Sequence, residues 1–213
     1  MANKVVIACR TLEREIQAAM KETGNSYLVY YLPFHLHVHP KEMTLQLQKI
    51  IDGLENVDQV LLCVSGCGGS TKDLKATTAD IIIPKTRDCI DILLTKTTVG
   101  EIDRDTRGIF FTDNWLEFFR QSPMAFDKLE KELGYEGAKE KFRQIYKGFE
   151  HFYIVDTGAY DVDKLKKELT PLIQILDGEI TVVKGKYEVL RKMLRGQIDD
   201  DFRVIKKVDN LTM

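Results

Sequence analysis

The chain has 213 residues, of which 44% are hydrophobic and 30% charged, and its formal net charge is −2. This balance of charge offers no cationic surface for nucleic acid. No apolar stretch approaches the roughly 20 residues that a membrane span needs. The first residues lead directly into a strand pattern instead of the apolar core of a signal peptide, so we expect a cytoplasmic protein with no nucleic-acid partner and no membrane partner.

Apolar runs and helical repeats alternate through the first half of the chain. Helix-start signals occur at Thr11 and Pro40, and the Thr23-Gly24-Asn25 sequence is a typical helix end. A further helix is expected from Cys89 to Thr95. The predicted strands of this half are residues 4–8, 26–34, 59–65 and 80–84.

The second half repeats the alternation less regularly. A long helical stretch over 115–147 is interrupted at 122–123 and at 134–137, and two further helices are predicted over 162–176 and 187–194. The predicted strands of this half are residues 108–112, 152–155, 179–183 and 202–208.

Strands that alternate with helices predict an α/β protein with mostly parallel, open sheets flanked by helices. The polar connector 100–107 predicts two related lobes: an N-terminal α/β lobe over 1–107, which carries the Cys and His residues discussed below, and a C-terminal lobe over 108–213. One continuous domain is the alternative. A closed barrel ranks second to open sheets, because barrels typically need about 250 residues.

Cysteines and histidines follow the ends of four successive predicted strands. Because the carboxyl ends of parallel strands share one edge of a sheet, these side chains are candidates for a single site. Zinc accepts three sulfur ligands and one imidazole, and thiolates also suit an iron–sulfur cluster. Cys63 lies inside an apolar strand and is predicted to be a buried thiol. The candidate ligands are Cys9, Cys67 and Cys89, together with His35 or His37. If their segment stays extended, His35, His37 and His39 would share one face, and His39 is expected to be exposed.

The segment Gly66-Cys67-Gly68-Gly69-Ser70-Thr71 is a candidate binding loop for an anionic small molecule. Its glycines allow close approach of the backbone, and a helix beginning at Ser70 or Thr71 would direct its N-terminus at a phosphate. Arg87 is the predicted counter-charge, and Asp88 is expected to cap the following helix or to orient a histidine. The candidate cofactor-binding residues are therefore Gly66, Gly68, Gly69, Ser70 and Arg87. A tight turn with no ligand is the structural alternative.

Several sequence segments together resemble a family of bacterial and archaeal proteins of unknown function, often encoded near corrinoid-dependent methyltransferase genes in anaerobes. The matching segments are Val6-Ile7-Ala8-Cys9, Leu36-His37-x-x-Pro40, Gly66-Cys67-Gly68, Asp88-Cys89-Ile90 and Phe110-Phe111-Thr112 with Trp115. Asn114 stands where the family pattern has glycine, and Ser65 where it has a larger residue.

The resemblance selects Cys9, His37, Cys67 and Cys89 as metal ligands over Cys63, His35 and His39. It favours a site for zinc or another thiophilic metal and supplies no established reaction. The activity expected of such a site, if it has one, is methyl or other one-carbon transfer in corrinoid metabolism, with a small molecule or a corrinoid protein as its partner. An anion-binding module without catalysis, an iron–sulfur or redox protein, and a bound corrinoid stay open as alternatives. The sequence is compatible with a homo-oligomer and does not identify a substrate.

Overall fold

The computed structural model describes residues 2–208, with the exception of the side chain of Cys67. The strands are β1 (Lys4–Cys9), β2 (Leu28–Leu32), β3 (Gln59–Cys63), β4 (Asp80–Pro84), β5 (Gly108–Phe111), β6 (His151–Asp156), β7 (Ile180–Lys184) and β8 (Phe202–Ile205). The α-helices are α1 (Glu13–Thr23), α2 (Pro40–Asp52), α3 (Cys89–Leu94), α4 (Asp113–Gln121), α5 (Phe126–Ile145), α6 (Val162–Ile175) and α7 (Glu188–Arg195). The α/β prediction is confirmed.

The first sheet has five strands in the order β2-β1-β3-β4-β8. Its first four strands pair in parallel and β8 pairs antiparallel to β4, so the sheet is mostly parallel, as predicted. The central strands are apolar along nearly their whole length and are fully buried, as expected for parallel strands that are covered on both faces.

Helices cover this sheet through their apolar sides. On one face, Met43, Leu47 and Ile51 of α2 pack in a core with residues of β1, β3 and β4. Helix α1 packs against α7 and buries Ile16 and Ala19. It ends at Gly24, whose φ of +70° is the left-handed conformation that glycine adopts without strain, as predicted for this position.

The second sheet has three parallel strands in the order β5-β6-β7. Phe111, Phe152 and Ile154 of this sheet pack in a core with Phe142 of α5 and Leu169 of α6. Helix α5 is interrupted at Gly134, where φ is +69°, within the predicted break at 134–137. Neither sheet closes into a barrel.

The chain forms two compact units, of which the first is made of two separate segments and the second of one continuous segment. One unit contains the residues up to 102 together with those from 186 to the end of the described chain, and the other contains 103–185. The predicted C-terminal lobe, 108–213, included the segment with α7 and β8, and this segment packs in the first unit. The two sheets have five and three strands instead of four each.

Candidate functional site

Cys9 is the last residue of β1, and His37, Cys67 and Cys89 follow β2, β3 and β4. The carboxyl ends of these four parallel strands point to the same edge of the first sheet. The strand order reverses at β1, because β2 lies on one side of it and β3 on the other. Open α/β sheets bind ligands at such reversals. The topology of the first sheet therefore allows the four strand connections to meet at one edge, as predicted.

Cys9 is the last residue of β1 and is 5% exposed. Since side chains alternate along a strand, Cys9 lies on the same face as Ile7, which packs in the core with Leu36 and Met43. This is the face covered by α2 and by the segment that carries His37. The hydroxyl of Thr11 donates a hydrogen bond to the Cys9 sulfur over 3.1 Å.

The histidine segment does not continue the strand. Strand β2 ends at Leu32, and residues Phe34–Val38 form a 3-10 helix. The alternation of His35, His37 and His39 therefore does not place them on one face, because that expectation required an extended backbone. Only His37 is partly buried, whereas His35 and His39 are exposed, as was predicted for His39.

Burial lowers the pKa of His37 below its ordinary value, and the negative charge of Asp88 raises it by a smaller amount. His37 is therefore mostly neutral near pH 7, the protonation state that a metal ion needs in an imidazole ligand. The effect of Asp88 on this pKa is an electrostatic link between the 3-10 helix after β2 and the connection after β4, although β1 and β3 lie between these two strands.

The glycine loop after β3 packs against two segments, one that carries His37 and one that carries Cys89. On one side, the Gly66 amide donates to the Thr86 carbonyl over 3.2 Å, and the hydroxyls of Ser65 and Thr86 are 2.8 Å apart. On the other side, Gly68 is so close to Pro40 that a Cβ on Gly68 would lie 2.5 Å from Pro40 Cγ. The loop thus contacts the segment before Cys89 and the segment after His37.

The backbone of Cys67 belongs to a 3-10 turn, Cys67–Gly69, inside this loop. The Cys67 side chain lies outside the described part of the structure. Among the residues that are described, no three Cys, His, Asp or Glu side chains are grouped closely enough to hold a metal ion. Cys9, His37 and Cys89 are among the described residues, so a metal centre at this edge would require these three side chains to move closer together as well as a contribution from Cys67.

Cys89 is the first residue of α3 and is 8% exposed. Asp88 caps this helix, as predicted, by accepting hydrogen bonds from the Ile90 amide over 3.0 Å and the Asp91 amide over 3.2 Å. Because the same carboxylate influences His37, Asp88 links the helix cap to the imidazole.

Cys63 is excluded from the site by its surroundings. It is fully buried in β3, 3.9 Å from the Met193 sulfur, and burial raises the pKa of its thiol to about 12. A neutral, enclosed thiol is neither a ready nucleophile nor a metal ligand. The prediction of a buried thiol is confirmed.

The predicted anion-binding features are changed by the structure. No helix begins at Ser70 or Thr71, because residues 70–73 form a turn, so the loop provides no helix N-terminus for a phosphate. The side chain of Arg87 donates to both carboxylate oxygens of Asp91, over 2.7 and 2.9 Å, which compensates its charge. Ser70 is 1% exposed, and its hydroxyl has no hydrogen-bond partner among the described residues.

Arg10 and Thr11 follow Cys9 but were not predicted from the sequence to be residues of the site. Thr11 donates to the Cys9 sulfur, and the guanidinium of Arg10 lies over the rings of Tyr31 and Phe34. The signal was available, since both residues directly follow the strand end that selected Cys9. Tyr31 belongs to β2 and Phe34 to the 3-10 helix that follows it, so these aromatic partners could not be assigned without the fold.

The second unit contains an Asp-Thr-Gly segment and the tryptophan of the family pattern. The Asp156-Thr157-Gly158 segment is a turn after β6, in which Asp156 accepts from the Gly158 amide over 3.1 Å and forms an ion pair with Lys184. Trp115 stacks on Phe119 with ring centroids 5.2 Å apart and packs against the core of this unit. Asp156 and Trp115 therefore have structural roles in this unit.

Residues 31–194 match the model of a family described as a protein of unknown function, DUF1638. The chain belongs to this family. The match covers His37, Cys67 and Cys89 and begins after Cys9. No curated protein and no solved structure matches the chain. Within the described residues, none of the helices has the length and apolar character needed to cross a membrane.

Proposed function

We propose that this DUF1638 protein binds a thiophilic metal ion, zinc, through Cys9, His37, Cys67 and Cys89. The observation that supports the proposal best is the packing of the glycine loop. Through Gly66 and Gly68 this loop contacts Thr86 and Pro40, which lie three residues from Cys89 and from His37. Three sulfur atoms and one imidazole are a ligand set that zinc accepts in tetrahedral geometry.

The surroundings of the four residues fit such a centre. Cys9 and Cys89 are buried, so a metal ion between them would be largely screened from water. The hydrogen bond that the Thr11 hydroxyl donates to the Cys9 sulfur helps to fix the position of this side chain. Burial keeps His37 neutral, and the Asp88 carboxylate is positioned to influence the orientation and basicity of the imidazole.

A zinc ion bound here would act as a Lewis acid and favour the thiolate form of a coordinated thiol. The protein residues would hold the ion, exclude water and fix the imidazole. Methyl or other one-carbon transfer linked to corrinoid metabolism is the activity that we propose for the site, on the strength of the family resemblance. The cytoplasmic location is part of the same proposal.

Metal analysis of tag-free protein, purified without oxygen, tests the proposal. We expect about one zinc per chain, a colourless preparation, and loss of the metal in Cys67→Ser and Cys89→Ser. Cys63→Ala is the matched control and should retain the metal, because Cys63 is enclosed in β3.

Two results would overturn the zinc assignment. One is a protein that contains no metal and does not bind added zinc, with both serine variants behaving like wild type in stability and thiol reactivity. The other is visible absorbance with bound iron, which would assign the same cysteines to an iron–sulfur cluster.

A further inference from the structure

Arg10 provides a positive charge at the edge of the proposed metal site. It directly follows Cys9, and its side chain is 48% exposed. The guanidinium carbon lies 5.9 Å from the centre of the Tyr31 ring and 6.0 Å from that of Phe34. Contacts with two aromatic rings limit the positions that a long, flexible side chain can take.

The charge of Arg10 is weakly compensated. Its described carboxylate contact is with Glu13, one helical turn further along the chain, at 3.9 Å. Arg87, the cation that sequence inspection selected, instead makes two short hydrogen bonds to the buried carboxylate of Asp91. Arg10 therefore has donors available for a ligand, whereas those of Arg87 are largely occupied by Asp91.

The aromatic contact also relates Arg10 to His37. Phe34 and His37 are three residues apart in a 3-10 helix, where side chains at positions i and i+3 lie on the same side. With a rise of about 2 Å per residue, the two are separated by about 6 Å along the helix axis. Arg10, held over Phe34 and adjacent to Cys9, is thus within the length of a small molecule from two of the proposed metal ligands.

We propose that Arg10 binds the anionic group, a carboxylate or a phosphate, of a small molecule whose other end reaches the metal site. A guanidinium matches both groups with two parallel hydrogen bonds, and a partly exposed position lets a ligand enter from solvent. This inference rests on the proposed metal site in one respect, because the other end of the ligand is proposed to reach that site. The contact between the anion and Arg10 does not depend on the metal.

Calorimetric titration of metal-free protein with inorganic phosphate, and separately with succinate, tests the inference. The ionic strength is held constant with chloride, so that a general effect of salt is excluded. We expect saturable binding of at least one of the two anions by wild type and about tenfold or greater weakening in Arg10→Gln, as for a lost charged hydrogen bond. Comparison of the two anions shows whether phosphate or carboxylate is preferred.

Two other variants make the result specific. Lys21→Gln removes an equal charge from the last turn of α1 and should leave binding unchanged. Arg87→Gln tests the competing cation and should also retain binding. The inference is overturned if neither anion binds saturably to wild type, if Arg10→Gln binds as wild type does, or if Arg87→Gln loses binding as strongly as Arg10→Gln.

A parallel zinc titration of wild type and Arg10→Gln keeps the two proposals distinguishable. Zinc binding without anion binding would overturn the role of Arg10 and leave the metal site intact. Anion binding without zinc binding would overturn the metal site and support Arg10 as an anion-binding residue.

Discussion

His37 differs from His35 and His39 in its burial, and this difference selects the imidazole that can act as a metal ligand. Burial lowers the pKa of His37, so its neutral form persists to lower pH. The family resemblance selected the same residue, and the structure supplies the physical reason.

The lowered pKa of His37 predicts a pH dependence of stability. Below about pH 6.5 the unfolded chain binds a proton at this position that the folded chain resists, so stability is lost as the pH falls through the pKa of the folded state. Urea unfolding of metal-free protein at about pH 7.5 and about pH 5.5 should show a smaller loss in His37→Gln than in wild type. The exposed His39→Gln is the control and should behave as wild type. An identical loss in wild type and His37→Gln would contradict this account.

The four cysteines are predicted to differ in reactivity. Burial raises the pKa of the Cys63 thiol to about 12, so almost none of it is thiolate at neutral pH. Brief alkylation of folded, metal-free protein, followed by peptide mass spectrometry, should leave Cys63 unlabelled, and unfolding in urea should make it react. Labelling of Cys63 in the folded protein at its rate in urea would show that β3 does not protect it.

At the scale of elements, the glycine loop after β3 determines whether the site can form. Gly68 and Gly69 both have positive φ, at +59° and +84°. A Cβ on Gly68 would meet the ring of Pro40, whereas a Cβ on Gly69 would meet no atom within 4 Å. Substitution of Gly69 therefore adds backbone strain alone, whereas substitution of Gly68 adds both backbone strain and a clash with Pro40 of α2.

Alanine substitutions at these glycines give a matched pair. Gly69→Ala should cost about 1–2 kcal/mol of unfolding free energy, the penalty of a left-handed conformation for a residue with a Cβ. Gly68→Ala should cost more and should also weaken zinc binding, because the loop that carries Cys67 must move away from Pro40. Chemical unfolding and zinc titration of both variants measure this. Equal zinc affinity in the two variants would show that the contact with Pro40 does not position Cys67.

Local patterns predicted the strands that carry the site. Apolar runs located β1, β3 and β4, and Pro40 and Asp88 located the starts of α2 and α3. The 3-10 helix after β2 was missed because alternating His and apolar residues are compatible with an extended segment. The turn at 70–73 is the alternative that the sequence left open for this loop, since Ser and Thr favour turns as well as helix starts.

At the scale of the whole molecule, the return of the chain to the first unit could not be predicted from local sequence. The segment with α7 and β8 has ordinary helix and strand patterns, which do not indicate the unit in which it packs. Its place is decided by long-range packing, with Leu190 and Met193 buried and β8 paired to β4. The site itself was partly predictable, because strand ends share an edge whenever the pairing is parallel, whereas the strand order and the packing of the glycine loop required the fold.

The central claim is that four connections of one sheet supply a single metal centre. X-ray absorption spectroscopy of the zinc-loaded protein tests it most directly, because zinc–sulfur distances of about 2.3 Å and zinc–nitrogen distances of about 2.0–2.1 Å are resolved from each other. The account predicts three sulfur ligands and one imidazole nitrogen in wild type, and one sulfur fewer in any variant with Cys67 replaced that still retains zinc. A zinc environment of nitrogen and oxygen alone, or one unchanged in Cys67→Ser, would contradict it.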